Sequence, residues 1–338
     1  MRQLALGKIP IDILNSTVLR MTGADSARVV TPPKAGIDFA AVRLDRGFLV
    51  VSADPITGVV EEIGRYAVKV SANDVATSGN RPQFAESVVL LPKGSTEADV
   101  ERVAKQVHEA ARESGITIVG GHTEVTPGLR NPIVIVTVFS VVERYVTSGD
   151  ARAGDIIMMT KTAGLEGTAE LAREPGVKPR GVRDSVLAAA RAMISQIGVT
   201  EEAVAAFRTG RVHAMHDCTE GGVLGAVYEM SVASELGFTL SESLVPVAPE
   251  TAEVCRGLSI DPLRLIGSGS LLLAVEPGAE EEVGRALAPV CRVTRIGEFG
   301  AGSRKLLRRD GSTGLLREAP EDELWRVLSR PRRRGRRQ

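Results

Sequence analysis

Residues 88–119 constrain the fold more than any other stretch of the sequence. A short apolar run at 88–91 reads as a strand and is closed by Pro92-Lys93-Gly94. Residues 96–114 then follow the helical period, with Val100, Val103, Ala104, Val107, Ala110 and Ala111 on one face. Thr96 followed by Asp99 resembles a capping box, and Gly115 is a suitable terminator because glycine tolerates the left-handed backbone just past a helix end. Residues 116–119 resume as a strand. A chain that alternates these signals is expected to be mixed α/β.

The same alternation runs through the rest. Residues 47–52 and 133–142 read as strands, the first ending at Asp54, and residues 64–78 as a helix. Composition turns polar and glycine-containing at 145–154, where a boundary is placed. With 338 residues, two units of about 150 are expected: 1–147 and 148–330, followed by a basic, disordered tail at 331–338 (PRRRGRRQ). In the second unit, strands are expected at 155–160, 270–275 and 293–296. Helices are expected at 182–196, 201–208, 222–236 and 280–287.

Charge and composition exclude several functions. The 42 basic residues balance 42 acidic ones, which argues against a nucleic-acid binder working through bulk positive charge. Aromatics at 3% are too sparse for a stacking platform for single strands. No apolar run approaches the length of a membrane span, and Pro10 and Asp12 interrupt the N-terminal segment before a secretory core could form. Three scattered cysteines, Cys218, Cys255 and Cys291, give neither a disulfide framework nor a cysteine-rich zinc site, and fit a reducing cytoplasm.

Four positions in the first half carry possible chemistry: Asp38, Asp54 at a strand end, Asp74 in Asn73-Asp74-Val75-Ala76, and His122-Thr123-Glu124 after Gly120-Gly121. Carboxylates converging from separate elements are what Mg²⁺ requires, although each Asp could equally cap a helix or turn a loop. Gly164-Leu165-Glu166-Gly167-Thr168 joins a strand to a helix, so it is either a phosphate site or a plain tight turn. It is neither a Walker A loop nor a GxGxxG fingerprint. In the stretch from His213 through His216, Asp217, Cys218 and Thr219 to Gly221-Gly222, the two histidines and the thiol invite a zinc reading. No fourth ligand is suitably spaced, and Asp217 with Thr219 fits a helix cap with close backbone approach to a ligand better.

Taken in order, Gly36-x-Asp38-x-Ala40, Ser52-x-Asp54, Asn73-Asp74-Val75-Ala76-x-x-Gly79, Gly120-Gly121-His122-Thr123-Glu124 and Asp217-x-Thr219-x-Gly221-Gly222 resemble the AIR synthase superfamily. Asn73-Asp74-Val75-Ala76-x-Ser78-Gly79-x-x-Pro82 and Leu240-Ser241-Glu242-x-x-x-Pro246-Val247 look most like its hydrogenase-maturation branch, HypE. The resemblance implies a two-domain α/β fold in a homodimer, with N-terminal sheets pairing into a shared barrel beside a C-terminal mixed α/β domain. It also implies ATP and Mg²⁺ in a long cleft. By position, Asp38, Asp54 and Asp74 would hold the metal, and Arg65 and Asn73 would lie near the triphosphate. Gly164, Gly167, Thr168, Thr219, Gly221 and Gly222 would line the nucleotide site, and Asp74 and Asp217 would be catalytic across the cleft. Members phosphorylate an oxygen of a small substrate, often an amide or carbamoyl oxygen, and a maturation partner protein is a further implied contact.

The sequence also departs from the pattern. HypE carries a terminal cysteine, whereas the last cysteine here is Cys291 and the tail is PRRRGRRQ, so cysteine-tail dehydration is not expected. The glycine-rich N-terminal phosphate loop is not evident, and His122 stands where relatives carry an acid. The alternative expectation is a nucleotide-binding maturation protein without the dehydration step.

Overall fold

The computed structural model describes residues 4, 6–57 and 61–329, so the basic tail lies outside the described residues. After a short helix, α1 (Ile11–Ser16), the chain lays down β1 (Val29–Thr31), β2 (Ala40–Arg43) and β3 (Phe48–Ile56) as an antiparallel meander. Helix α2 (Ile63–Ala76) crosses over it. Strand β4 (Phe84–Pro92), helix α3 (Glu97–Glu113) and strand β5 (Thr117–Thr126) then form a parallel crossover unit, and β6 (Ile133–Val142) returns between β3 and β4. The resulting six-stranded sheet has the order β1-β2-β3-β6-β4-β5.

Side chains of β6 alternate strictly between the helix-covered face and the other face, as a half-buried strand requires. The core packs Val134, Val136 and Val138 of β6 against α2 and α3 residues such as Ile63, Val68, Val103 and Val107. The expected capping box at α3 is present: the Thr96 N–H donates to Asp99 Oδ2 at 2.9 Å. Strand β5 corrects the sequence expectation. It does not stop at residue 119 but runs through the Gly-Gly-His-Thr-Glu motif, because pairing with β4 continues to Thr126. It forms the sheet edge with its side chains exposed.

The second sheet begins at β7 (Ile156–Thr160), followed by α4 (Leu165–Arg173), α5 (Asp184–Ala192), α6 (Thr200–Arg208), β8 (Val212–Asp217) and α7 (Gly222–Ala233). Next come β9 (Gly237–Ser241), α8 (Pro249–Leu258), β10 (Leu271–Val275) and α9 (Glu280–Leu287). The chain then adds β11 (Val293–Gly300), β12 (Arg304–Leu307), β13 (Thr313–Leu315) and α10 (Glu323–Leu328). The seven strands run β13-β12-β9-β11-β7-β10-β8, all antiparallel except β12 with β9. The single helix expected over 182–196 is instead α5 and a 3₁₀ turn at Met193–Gln196. Strand β10 is buried on both faces (Leu271 to Val275), which explains why it reads as a continuous apolar run.

Strand β8 ends one edge of the second sheet, and its last residues reach the first sheet's loops. Asn73 of α2 fixes that junction from inside: its Nδ2 donates to the Ile197 carbonyl at 2.7 Å, and its Oδ1 accepts the Val199 N–H at 2.9 Å. Among the described residues, no helix is long and apolar enough to cross a membrane.

Candidate active site

Three elements deliver acids to the junction. Asp38 lies in the loop before β2, Asp54 in β3, and Asp74 near the C-terminal end of α2. Gly36 makes the first placement possible. It sits at φ +80°, and a Cβ there would lie 2.4 Å from the Glu229 carbonyl oxygen, so only glycine lets this loop press onto α7. Ser148 then donates to the Gly36 carbonyl oxygen and holds the loop in place. Ser52 Oγ lies 2.9 Å from the Asp38 carbonyl oxygen and 2.7 Å from Asp74 Oδ2, bridging the loop to the helix.

From the other side, β8 brings His216 and Asp217. The His216 Nδ1 lies 2.9 Å from Asp38 Oδ1, and its Nε2 lies 3.0 Å from Glu229 Oε2 on α7. Glu229 in turn pairs with Lys8 Nζ at 3.2 Å. Lys8 belongs to an N-terminal segment tied to the loop after β8: its N–H donates to Glu220 Oε1 at 2.7 Å, and its Nζ donates to Thr219 Oγ1 at 3.2 Å.

The electrostatics are those of too many acids in too little water. Burial raises Asp74 well above the usual carboxylate range, and the charges of Asp54, Asp217 and Asp38 push the same way. Burial also raises Asp38, against the pull of His216. For His216 burial opposes the charged form, but the Asp38 carboxylate and the contact with Glu229 outweigh it and hold the imidazole well above its ordinary value. Glu229, despite its burial, is held down at about 2 by Lys8 and His216. Both Asp217 oxygens and Asp38 Oδ2 are buried without a hydrogen-bond partner. Such groups are costly unless a ligand or cation completes them. Oxygen donors of this kind fit Mg²⁺, so the residues present suit the ion that the sequence resemblance implies.

The glycine segments behave differently. Gly164 caps α4 in the left-handed conformation, but the Gly167 N–H donates to the Ile266 carbonyl at 2.9 Å, and a Cβ on Gly167 would lie 2.5 Å from Leu265. Thr168 is buried and donates its hydroxyl to Thr251 Oγ1 at 3.0 Å. At α7 the Gly221 N–H donates to Asp322 Oδ2 at 2.6 Å, the Gly222 N–H donates to the Thr219 carbonyl at 3.0 Å, and Thr219 itself meets Lys8. Arg65 stands apart from the acids. Nine residues before Asp74, it is about 13 Å away along the helix axis, and it makes a bidentate pair with Glu113 at 2.6 and 2.9 Å. His122 lies on the exposed edge strand, with Nε2 3.1 Å from Glu124 Oε2.

The zinc grouping separates because His213 and His216, three residues apart on β8, face opposite sides, and Cys218 lies past the strand end. His213 turns to Asp155 at 2.9 Å, Cys218 is buried with its thiol pushed up, and His216 alone joins the acids. The residues that sequence reading missed are Lys8, Glu166, Glu229 and Asp322. Glu166 is the most telling of these. It is buried at the start of α4 with Oε2 unpartnered, and burial pushes its carboxyl up to about 7.

The two halves also match known sequences. The profile of the AIR synthase related protein, N-terminal domain, fits residues 36–142, and that of its C-terminal domain fits residues 152–308. The chain belongs to the AIR synthase related family. Among its family relatives, carbamoyl dehydratase HypE of Escherichia coli is 31% identical over 238 residues, covering 69% of this chain and 68% of that one. A crystal structure of E. coli HypE superposes with a TM-score of 0.71 at 26% identity, covering 91% and 97% of the two chains. A HypE solved in complex with ATP shares the family fold, with a TM-score of 0.67 at 23% identity over 93% and 96%.

Proposed function

We propose that this chain is an ATP- and Mg²⁺-dependent enzyme that phosphorylates an oxygen of a small substrate, of amide or carbamoyl type. The observation that carries this reading is the buried set of carboxylates at the junction of the two sheets, with three oxygens lacking any partner. Bound Mg²⁺–ATP would supply the phosphoryl group and the positive charge that these acids lack. In this reading Asp38, Asp54 and Asp74 hold the metal, and Asp217 faces them from β8. Burial and mutual repulsion make the carboxylates avid for a cation, and their fixed positions supply orientation without reorganisation during the reaction.

Among the residues expected to line the nucleotide site, Gly164, Gly221 and Gly222 form tight turns packed on their own chain, with Thr219 between them and Lys8. Gly167 and Thr168 shape the wall behind them, Asn73 fixes the junction, and Arg65 lies at the outer end of α2. The units 1–147 and 148–330 then form the two sides of the cleft. A homodimer fits the first sheet, whose second face and edge leave Val119, Val125 and Val141 about half exposed. The cytoplasm suits a chemistry that draws on ATP.

A second reading is favoured by one observation. All three thiols are pushed up by burial, Cys291 to about 11 and Cys255 to about 12, so none is an activated acceptor for a carbamoyl group. That suits a nucleotide-binding maturation protein, working with a partner, in which no cysteine is dehydrated. Phosphate release from ATP, measured with and without candidate amide and carbamoyl substrates, separates the two. Binding of Mg²⁺–ATP without turnover under any of them would overturn the enzyme reading.

A further inference from the structure

The acids are not the only donors aimed into the junction. His216 Nδ1 lies 2.9 Å from Asp38 Oδ1 and 3.9 Å from Asp217 Oδ1, and ligand atoms of the three side chains all fall within 4.8 Å of one another. Yet none of these approaches completes a hydrogen bond at His216 Nδ1, at Asp38 Oδ2 or at either Asp217 oxygen. The side chains are 3%, 7% and 1% exposed, so bulk water does not satisfy them. Four buried atoms on these three side chains are thus left without a hydrogen-bond partner in one small cluster.

The opposite edge of the imidazole explains which nitrogen is free. Glu229 Oε2 sits 3.0 Å from Nε2 and is itself neutralised by Lys8. A carboxylate there anchors a proton on Nε2, so the Nδ1 proton beside Asp38 is the one an incoming cation would displace, leaving the Nδ1 lone pair facing Asp38 and Asp217. A carboxylate behind a histidine is the usual support of a metal-bound imidazole, fixing its tautomer and orientation. A proton on Nδ1 could serve at most one of the facing oxygens, and its geometry is not met. A cation with several coordination positions serves all of them.

We propose that His216 is a nitrogen ligand which, with Asp38 and Asp217, binds a divalent transition cation of the Mn²⁺ class, and that Glu229 is its positioning residue. The mixed nitrogen and oxygen donor set departs from the all-oxygen preference of Mg²⁺ and favours metals that accept imidazole. The inference deepens the ATP-site reading by sharing Asp38 and Asp217. Its test is run without nucleotide, so failed turnover and failed nitrogen ligation are separately visible.

Mn²⁺ is titrated into the purified full chain and followed by electron spin-echo modulation and by calorimetry. The expected result is ¹⁴N modulation on the bound ion, absent in His216→Gln and retained in His213→Gln. Mn²⁺ affinity should fall about 10- to 100-fold in His216→Gln and in Glu229→Gln, with a smaller change for Mg²⁺. The wild-type spectrum decides the matter even if a variant folds poorly. No Mn²⁺ binding, bound Mn²⁺ without ¹⁴N modulation, or modulation that survives in His216→Gln would each overturn the assignment.

Discussion

Two regions of this molecule carry sequences that look made for ligands, and they differ in what they leave unsatisfied. At the junction of the sheets, Asp38, His216 and Asp217 carry buried polar atoms without a hydrogen-bond partner. At the starts of α4 and α7, the glycine-rich turns have already closed on the protein: Ile266 takes the Gly167 N–H and Asp322 takes the Gly221 N–H. Both regions are rich in small and polar residues, and both flank a helix. The difference teaches that unmet polar groups mark a working site better than a glycine motif does, because a turn can spend its N–H groups on its own chain.

The largest expected effect tests the open region. Asp74→Asn should weaken Mg²⁺–ATP affinity at least about a hundredfold, roughly 3 kcal/mol. Calorimetry giving wild-type affinity would remove Asp74 from the metal site. Next is Glu166, which has an open acid's character inside a closed turn. Its folded pKa lies above the unfolded value, so the fold keeps the proton. Stability is then highest below about pH 4 and declines as the pH rises towards about 7. Glu166→Gln should therefore stabilise by on the order of 3 kcal/mol at pH 8 and hardly at all at pH 4. Chemical denaturation at the two pH values measures this, and an equal effect at both would contradict it.

The closed region should answer in stability rather than binding. Gly167→Ala pushes a methyl group into Leu265 and should cost about 1–3 kcal/mol, leaving nucleotide affinity nearly unchanged in calorimetry. If affinity collapses while the melting temperature holds, that turn is a phosphate site after all. The smallest effect is expected for Arg65→Ala. Its pairing with Glu113 is partly solvated, worth below about 1 kcal/mol, and a thermal melt should barely move.

Much of this was legible in the sequence, for reasons that can be named. Helix α3 shows itself through period, cap and terminator, all local features. Asp38, Asp54 and Asp74 stood out because small residues lie beside them, and His216 stood beside Asp217 in the same string. What could not be read was the pairing across distance. Lys8 meets Glu229 across more than two hundred residues, and Asp322 reaches Gly221 from the last described helix. The zinc grouping failed for the opposite reason, since His213, close to His216 in sequence, faces the other side of β8 and pairs with Asp155. Short strands such as β12 and β13 carry too few residues to display a period. Strand β12 exists because β9 offers it an edge, and β13 because β12 offers the next one.

The amide of Asn73 has a consequence for traffic. Both ends of that side chain are engaged, inside the protein, by backbone groups of the opposite unit. Swinging the units apart would strip two buried hydrogen bonds at about 1–3 kcal/mol each. The junction is therefore braced against opening, and in the proposed enzyme it would act as a fixed mould rather than a jaw, selecting whatever fits the shape as it stands.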